Sequence, residues 1–249
     1  MSAEFKDHFS QQSSSYGQFR PTYPTELFEH LATISPGRQC AWDCATGTGQ
    51  AAVALADYFE HVIATDASAA QINAVQPHDR IDYQTAPAEK TTITEASIDL
   101  ITVAQALHWF DIAAFENEVR RVLKPEGILA VWTYNLFAIN AAIDDIIQHF
   151  YHDTLGPYWP DDRTHVENAY HDISFTLTEC NTPNFAIQAN WNLQHLLGYL
   201  GTWSALKAFR KNNDVDPLPD LEKELLQCWT DPERRLNVSW PLTLRVFKQ

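Results

Sequence analysis

The chain has 249 residues, of which 45% are hydrophobic and 20% are charged, a composition typical of an ordered globular protein. Its length suits one α/β domain with a small addition and is too short for two full-sized domains. The formal net charge of −15 and the absence of long Lys/Arg runs exclude nucleic acids and anionic membranes from the expected partners.

From the sequence we expect no targeting signal. The chain has no basic-then-apolar leader, and no uninterrupted apolar run approaches the length of a membrane span. The 4 cysteines lack the C-x-x-C spacing of a zinc site, so we expect free thiols in a reducing compartment and no bound metal. We therefore expect a cytoplasmic protein, monomeric or homodimeric, with a small molecule as its partner.

Residues 1–38 are predicted to form an N-terminal arm and a lid helix. Two prolines three residues apart favour an extended segment, and the spacing of apolar residues after them predicts a helix over residues 25–34. Two interpretations of the arm stay open. It either packs on the domain as a simple extension, or it covers a bound cofactor with Tyr16 and Arg20 pointing inward.

Residues 39–135 alternate short β-rich runs with helical patterns. The predicted strands are residues 39–44, 61–65, 81–85, 98–104 and 127–132. The predicted helices are residues 50–58, 68–75 (with Ser68 as N-cap) and 112–123. This alternation favours a doubly wound parallel sheet with right-handed crossovers, in which ligands bind at the carboxyl ends of the strands.

Beyond residue 135 the pattern changes. Residues 136–212, called the cap below, are predicted to form a helical insertion with one core strand near 185–191 and a helix over residues 193–211. Residues 213–249 are predicted to form a C-terminal helix and an edge strand, because Pro241 interrupts the last apolar run. The expected fold is therefore α/β and Rossmann-like, with a doubly wound, seven-stranded, mostly parallel sheet, an antiparallel last strand and a small helical cap.

Gly47 and Gly49 lie one residue apart, between the first strand and an alanine-rich helix, where glycine lets the backbone approach a ligand closely. The residues of this turn loosely match the G-x-G-x-x-G/A pattern of an NAD-binding turn, with Asp66 at the position of the acidic residue that binds the ribose. However, Asp43 at the end of the first strand would repel a diphosphate and attract a sulfonium and an ammonium group. These residues therefore favour S-adenosylmethionine as the cofactor.

Five segments resemble, in order and spacing, the motifs of class I S-adenosylmethionine-dependent methyltransferases, in particular the small-molecule group of methyltransferase type 11 and trans-aconitate methyltransferase-like proteins. These segments are residues 43–50, 64–68, 86–89, 104–111 and 121–127. The family usually has glycine where this chain has Ala45. The resemblance implies a methyltransferase that uses S-adenosyl-L-methionine, releases S-adenosyl-L-homocysteine and acts on a small organic molecule.

The resemblance also implies roles for individual residues. Cofactor contacts are expected from Asp43, Ala45, Gly47, Gly49, Asp66, Ala67, Ala88, Glu89, Gln105 and Ala106, together with Tyr16 and Arg20 of the arm. Substrate contacts are expected from His108, Trp109 and Tyr134. Two of these roles have structural alternatives: Asp66 either accepts hydrogen bonds from the ribose or caps the following helix, and Glu89 either contacts adenine or is solvated.

His108 is the candidate catalytic residue. Methyl transfer from a sulfonium depends on alignment and on exclusion of water, and it needs a base only when the acceptor loses a proton. His108 either serves as that base or shapes the pocket through hydrogen bonds. We expect O-methylation of a carboxylate or a hydroxyl. The alternatives are an NAD-dependent oxidoreductase and a non-catalytic S-adenosylmethionine-binding protein.

Overall fold

The computed structural model describes residues 19–249, which form a central sheet with helices on both faces. The strands are β1 (Cys40–Cys44), β2 (His61–Asp66), β3 (Ile81–Thr85), β4 (Ile98–Ala104), β5 (Leu123–Tyr134), β6 (Thr178–Cys180), β7 (Phe185–Trp191) and β8 (Leu236–Lys248). Their order is β3-β2-β1-β4-β5-β8-β6, and β7 also pairs with β8. Strands β1 to β5 run parallel and β8 runs antiparallel to its neighbours. The predicted Rossmann-like α/β fold is confirmed, with eight strands instead of seven.

The helices of the described chain largely follow the sequence pattern. They are α1 (Thr25–Ile34), α2 (Gln50–Leu55), α3 (Ala69–Ala74), α4 (Ile112–Val122), α5 (Ala141–His149), α6 (Arg163–Glu167), α7 (Leu193–Gly201), α8 (Ser204–Asn213) and α9 (Leu218–Trp229). Ser68 caps α3 as predicted, by accepting a hydrogen bond from the backbone N–H of Gln71. The single helix predicted for residues 193–211 is wrong: it is divided at Thr202, whose hydroxyl donates to the Tyr199 carbonyl and competes with the helical ladder.

The strand order determines where the ligand-binding edge of the sheet lies. Strand β1 pairs with β2 on one side and with β4 on the other. The strands that follow β1 along the chain are therefore added first on one side of it and then, from β4 onward, on the other side. In a doubly wound sheet this reversal opens a crevice at the carboxyl ends of the two strands. The loops after Cys44 and Ala104 therefore meet at one site.

Strand β8 lies inside the sheet, which corrects the expected edge position. It pairs with β5 on one side, and with both β6 and β7 on the other. Pro241 is tolerated because the pairing with β5 begins only at Leu242, while Ser239 already exchanges backbone hydrogen bonds with Ala138. The missing N–H of Pro241 thus falls in a gap between two paired segments.

The cap contributes four α-helices, α5 to α8, a π-helix (Phe150–Thr154), a 3₁₀-helix (Gly156–Tyr158) and two strands, β6 and β7, where one strand was expected. Helix α9 packs against α5 and α7, so the cap is joined to the C-terminal segment by helix packing as well as by the sheet. None of the helices within residues 19–249 combines the length and the apolar character needed to cross a bilayer. The division into arm, core, cap and C-terminal segment remains a prediction.

Candidate active site

The turn between β1 and α2 holds three residues in the left-handed backbone region. The φ angle is 56° at Ala45, 56° at Gly47 and 83° at Gly49. A Cβ atom at Gly49 would lie 3.1 Å from the hydroxyl oxygen of Tyr83, so both space and backbone favour glycine there. Ala45 occupies a conformation that costs a non-glycine residue about 1–2 kcal/mol, which explains why glycine suits this position.

Asp66, the last residue of β2, stabilises this glycine loop. One carboxylate oxygen accepts a hydrogen bond from the backbone N–H of Gly47 (2.9 Å), and the other accepts one from the backbone N–H of Ser68 (2.8 Å). A carboxylate oxygen can accept more than one hydrogen bond, so these contacts are compatible with further donors such as ribose hydroxyls. The N-cap of α3 is Ser68, and Asp66 accepts a hydrogen bond from the N–H of that cap residue, while the ribose contact remains a prediction.

Asp43 was expected to face the crevice, but its side chain is buried. Its side chain is only 1% exposed and accepts hydrogen bonds from the hydroxyls of Thr46 (2.6 Å) and Thr102 (2.8 Å). Burial raises the pKa of Asp43 to about 6, and the two threonine hydroxyls oppose this rise. The carboxylate is thus mostly ionised at neutral pH and lies behind the loop. From there its charge still favours a cationic ligand over a diphosphate, whereas direct contact with the cofactor remains a prediction.

The residues expected near adenine follow β2 and β3. Ala67 is half-buried, and Ala88 is buried in a hydrophobic core cluster. Glu89 accepts a hydrogen bond from the backbone N–H of Asp111 (3.0 Å), which is the N-cap of α4. Glu89 therefore connects the loop after β3 to α4, and it is half-buried there. Contacts of these residues with adenine remain predictions.

Gln105 and Ala106 lie where β4 ends. Gln105 adopts a φ angle of 58°, and its side chain links β4 to β5. Its Oε1 atom accepts a hydrogen bond from the Thr133 hydroxyl (2.6 Å), and its Nε2 atom donates one to the Tyr134 carbonyl (2.9 Å). Ala106 is buried. Because the Gln105 amide is already engaged, we expect any cofactor contact here to come from the backbone.

His108 lies in a 3₁₀ turn (Leu107–Trp109) directly after β4. Its Nδ1 atom is 2.9 Å from the hydroxyl oxygen of Tyr170. Burial lowers the pKa of His108 to about 3, with smaller contributions from the positive charge of Arg163 and from the His165 ring. The imidazole is therefore neutral at physiological pH. The Trp109 ring lies 4.6 Å from the His108 ring, between centroids, and is 38% exposed.

The described end of the arm reaches the carboxyl end of β5. The guanidinium of Arg20 donates a hydrogen bond to the Tyr134 hydroxyl (3.4 Å) and lies 5.7 Å from the centre of the Tyr199 ring. Gln50 donates a side-chain hydrogen bond to the Pro21 carbonyl (3.2 Å), which joins the arm to α2. This placement is compatible with the lid interpretation. Tyr16, the other arm residue expected to contact the cofactor, lies outside the described residues.

Arg163 reaches the same place from the cap. It donates hydrogen bonds to the Asn135 side chain (2.7 Å) and to the Tyr151 hydroxyl (2.9 Å). Its guanidinium also lies 4.8 Å from the centre of the Trp159 ring, a distance suited to a cation–π contact. Arg20 and Arg163 therefore converge on the end of β5, although they are far apart in the sequence.

Sequence reasoning did not identify Tyr170, which contacts His108, or Thr133, which contacts Gln105. Tyr170 is 1% exposed and contacts His108 across 62 positions of the chain, and Thr133 is also 1% exposed. Neither residue belongs to a recognisable motif, so only tertiary packing reveals their contacts. In the part of the chain that the structure describes, no group of three or more His, Cys, Asp or Glu side chains could hold a metal ion.

The sequence of this chain is similar to proteins named as methyltransferases. A family model described as a methyltransferase domain matches residues 42–131, which carry the glycine loop and most of β1 to β5. A Dictyostelium discoideum protein named as a methyltransferase is 34% identical to this chain over 253 residues, covering 99% of this chain and 96% of its own length. A Saccharomyces cerevisiae protein named as an S-adenosylmethionine-dependent methyltransferase is 23% identical, with 92% of each chain covered.

Solved structures that are similar to this chain are also described as methyltransferases. A protein of Anaeromyxobacter dehalogenans described as a type II methyltransferase has a TM-score of 0.88 at 41% identity and covers 92% of this chain and 97% of its own. A methyltransferase from an antibiotic biosynthesis pathway of Anabaena variabilis has a TM-score of 0.52 at 18% identity, covers 91% of this chain and 99% of its own, and shares the fold alone. With both sequence and structural likeness extending over nearly the whole chain, this protein belongs to the class I S-adenosylmethionine-dependent methyltransferases.

Proposed function

We propose that this protein transfers a methyl group from S-adenosylmethionine to a carboxylate or hydroxyl oxygen of a small organic molecule. The observation that supports this proposal is the convergence of a glycine loop, a neutral histidine and two arginines at one edge of the sheet. When bound, S-adenosylmethionine supplies an electrophilic methyl group on a sulfonium. The family assignment leaves no support for the oxidoreductase alternative.

The residues of the glycine loop fit this cofactor. Apart from its two chain neighbours, no atom lies within 4 Å of the position that a Cβ atom would take at Gly47, so the backbone there borders open space. Asp66 and the buried Asp43 place two carboxylates at the loop, an electrostatic environment that suits a ligand with a sulfonium and an ammonium group. A dinucleotide would bring a negatively charged diphosphate to the same position.

The acceptor would lie at the carboxyl ends of β4 and β5. The guanidinium groups of Arg20 and Arg163 offer charged donors for an oxygen of the acceptor, and both already lie against aromatic rings. Tyr134 and the exposed Trp109 supply further contacts for its organic part. This combination of apolar walls and a few polar groups is typical of small-molecule sites.

Catalysis would depend on alignment of the acceptor with the methyl group and on exclusion of water by the arm and the cap. A carboxylate acceptor needs no base. A hydroxyl acceptor loses a proton, and His108 is neutral, half-buried and able to interact with that proton through its second ring nitrogen.

Titration of the full chain with S-adenosylhomocysteine and with NADH, followed by a turnover screen with methyl-labelled S-adenosylmethionine, tests the proposal. We expect S-adenosylhomocysteine to bind more tightly than NADH, and we expect turnover of carboxylate or hydroxyl acceptors. Binding without turnover across a broad panel of both acceptor types would support a non-catalytic binding protein instead. Tighter binding of NADH would reject the cofactor assignment.

A matched pair of arginine variants tests the acceptor site. Arg163→Gln removes a guanidinium that contacts the end of β5, and Arg210→Gln removes one that pairs with Asp216 on the surface. We expect kcat/KM to fall at least tenfold in Arg163→Gln, since a charged hydrogen bond contributes about 1.5–3 kcal/mol. Arg210→Gln should retain wild-type activity, and both variants should bind S-adenosylhomocysteine normally.

A further inference from the structure

The guanidinium group of Arg163 is half-buried in the cap and has only neutral partners. Its Nε atom donates a hydrogen bond to the Tyr151 hydroxyl (2.9 Å), and its Nη2 atom donates one to the side-chain oxygen of Asn135 (2.7 Å). Among residues 19–249, no carboxylate forms an ion pair with this guanidinium, although the formal net charge of the chain is −15. A half-buried charge without a counter-ion is costly, so this position favours a ligand that supplies a negative charge.

Tyr151 accepts its hydrogen bond from Arg163 in a direction that the groups themselves fix. Tyr151 is 1% exposed and lies in the π-helix of the cap, a rare conformation that is frequent at functional sites. A guanidinium only donates and a carboxylate only accepts, so the Tyr151 oxygen accepts from Arg163 and donates its proton to Glu167, at 2.6 Å. Burial raises the pKa of Tyr151 to about 12, so the hydroxyl keeps this proton at physiological pH.

Trp159 supports the same guanidinium from one face. The centre of its ring lies 4.8 Å from the guanidinium carbon of Arg163. The Nε1 atom of Trp159 donates a hydrogen bond to the Tyr151 carbonyl (3.2 Å), and the rings of these two residues lie 4.7 Å apart between centres. The guanidinium is therefore held by an aromatic face and by hydrogen bonds at two of its three nitrogen atoms.

The third nitrogen, Nη1, is available to a ligand. Within residues 19–249 it forms no hydrogen bond, and it is not one of the polar atoms sealed in the interior. Arg163 also lies near the candidate acceptor site. Asn135 directly follows the last residue of β5, and the charge of Arg163 contributes, after burial, to the low pKa of His108. Nη1 therefore offers two N–H groups at this edge of the sheet.

We infer that Tyr151, Asn135 and Trp159 are positioning residues that hold Arg163 with Nη1 directed to an anionic group of the methyl acceptor. This inference rests on the proposed function and adds a negative charge to its acceptor, whichever oxygen is methylated. Because the guanidinium is held before the ligand arrives, little side-chain entropy is lost on binding. A neutral acceptor of the same shape would leave the charge of Arg163 without a partner.

Binding of small acids and their amides tests the anion site without turnover. The probes are benzoate and hexanoate, each compared with its neutral amide, benzamide or hexanamide, in NMR titrations of the full chain with and without S-adenosylhomocysteine. We expect at least one acid to bind about tenfold more tightly than its amide, and we expect Arg163→Gln to remove this preference. A wild-type protein that prefers neither acid, or a preference that survives in Arg163→Gln, would overturn the inference.

The positioning role of Tyr151 has a matched control in the same part of the cap. Tyr151→Phe removes the hydroxyl that holds Arg163, whereas Tyr158→Phe removes one that accepts from Asn213. We expect the preference for the acid to fall about fivefold in Tyr151→Phe and to stay unchanged in Tyr158→Phe, with unchanged amide affinity in both. A merely structural role would weaken acid and amide alike, and that result, or an unchanged preference in Tyr151→Phe, would refute the positioning role.

Asn135→Asp tests the missing counter-ion directly. This substitution keeps the shape of the side chain and supplies a carboxylate to the Nη2 atom of Arg163. We expect the preference for the acid to fall about tenfold, because the new carboxylate neutralises the charge that the probe would otherwise neutralise. An undiminished preference would show that the acid does not bind through the charge of Arg163.

Nitrogen NMR with ¹⁵N-labelled arginine tests the contact between Arg163 and Tyr151 in the absence of any ligand. The Nε signal of Arg163 is identified by its loss in Arg163→Gln. We expect slow exchange of its proton with water in the wild-type protein and in Tyr158→Phe, and faster exchange in Tyr151→Phe. Equal exchange in all three proteins would overturn the contact. If the wild-type protein bound no S-adenosylhomocysteine, the proposed function would fail, whereas the acid titrations would still decide whether the anion site exists.

Discussion

Replacing Asp43 with asparagine tests the consequences of a charge buried behind the glycine loop. Burial raises the pKa of Asp43 from 3.8 to about 6, so between these values the folded state binds a proton that the unfolded state has released. Stability therefore falls as the pH rises through this window. Above it, the ionised carboxylate costs the folded state up to about 3 kcal/mol, at about 1.4 kcal/mol per pKa unit.

The variant Asp43→Asn removes this cost while retaining the shape of the side chain. Its amide oxygen can accept from one threonine hydroxyl, and its amide nitrogen can donate to the oxygen of the other. At pH 8 we expect the free energy of unfolding to rise by up to about 3 kcal/mol, and at pH 5 by about half of that. Urea denaturation at the two pH values measures the difference. Lower stability of the variant at pH 8 would refute the reasoning on burial.

The same substitution should weaken binding of the cationic cofactor. Loss of a nearby negative charge is expected to cost about 1–2 kcal/mol, or about tenfold in Kd. S-adenosylhomocysteine has no sulfonium, so its affinity should fall less than that of S-adenosylmethionine, as measured by calorimetry. Unchanged affinity for both ligands would refute the electrostatic role.

Asp99 provides the matched control for a buried carboxylate far from the loop. It is 2% exposed and lies at the opposite end of β4, where it pairs with Lys124 at 2.9 Å. Asp99→Asn should therefore lower the stability, because it leaves the Lys124 ammonium without its charged partner. It should leave the affinity for S-adenosylmethionine unchanged.

Three further predictions concern the loop and His108. Ala45→Gly should raise the free energy of unfolding by about 1 kcal/mol in urea denaturation, because it relieves the left-handed strain. Gly49→Ala should lower the free energy of unfolding by about 1–2 kcal/mol. If both substitutions changed the free energy of unfolding in the same direction, the strain argument would be contradicted. Asp66→Asn replaces an acceptor of a backbone hydrogen bond by a donor. We expect this substitution to weaken S-adenosylhomocysteine binding at least tenfold, as measured by calorimetry. An unaltered Kd would exclude the role of Asp66 in the glycine loop. The pKa of His108 is about 3 in the folded chain, against an ordinary value of 6.5 for an unburied histidine. As the pH drops below 6.5, the unfolded state therefore binds a proton that the folded state does not bind. The free energy of unfolding should fall by up to about 1.4 kcal/mol per pH unit in this range. This contribution should disappear in His108→Gln, and equal slopes in the two proteins would show that His108 does not resist protonation.

Much of the fold could be predicted because its signals are local. The alternation of apolar runs and helical patterns located β1 to β4 to within a residue or so, and the spacing of small residues identified the glycine loop. Ser68 was identified as an N-cap because capping involves residues three positions apart. Strand β5 begins earlier than predicted, at Leu123, because pairing with β4 extends it beyond the pattern of its own residues.

The position of β8 and the contacts of the site depend on the tertiary structure. The sequence placed Asp43 at the end of β1, but the hydroxyl of Thr102, on the neighbouring strand, draws its carboxylate inward. Nothing in the local pattern indicated that Tyr170 would meet His108, or that Arg163 would join Arg20 at the end of β5.

The sequence by itself thus determined the class of fold, the cofactor loop and the family, because backbone conformation and motif spacing depend on residues close together in the chain. Only the tertiary structure decided which side chains are buried and which partners they have. Burial and partners in turn set the pKa of Asp43 and the protonation of His108, since both depend on desolvation and on hydrogen bonds from distant segments.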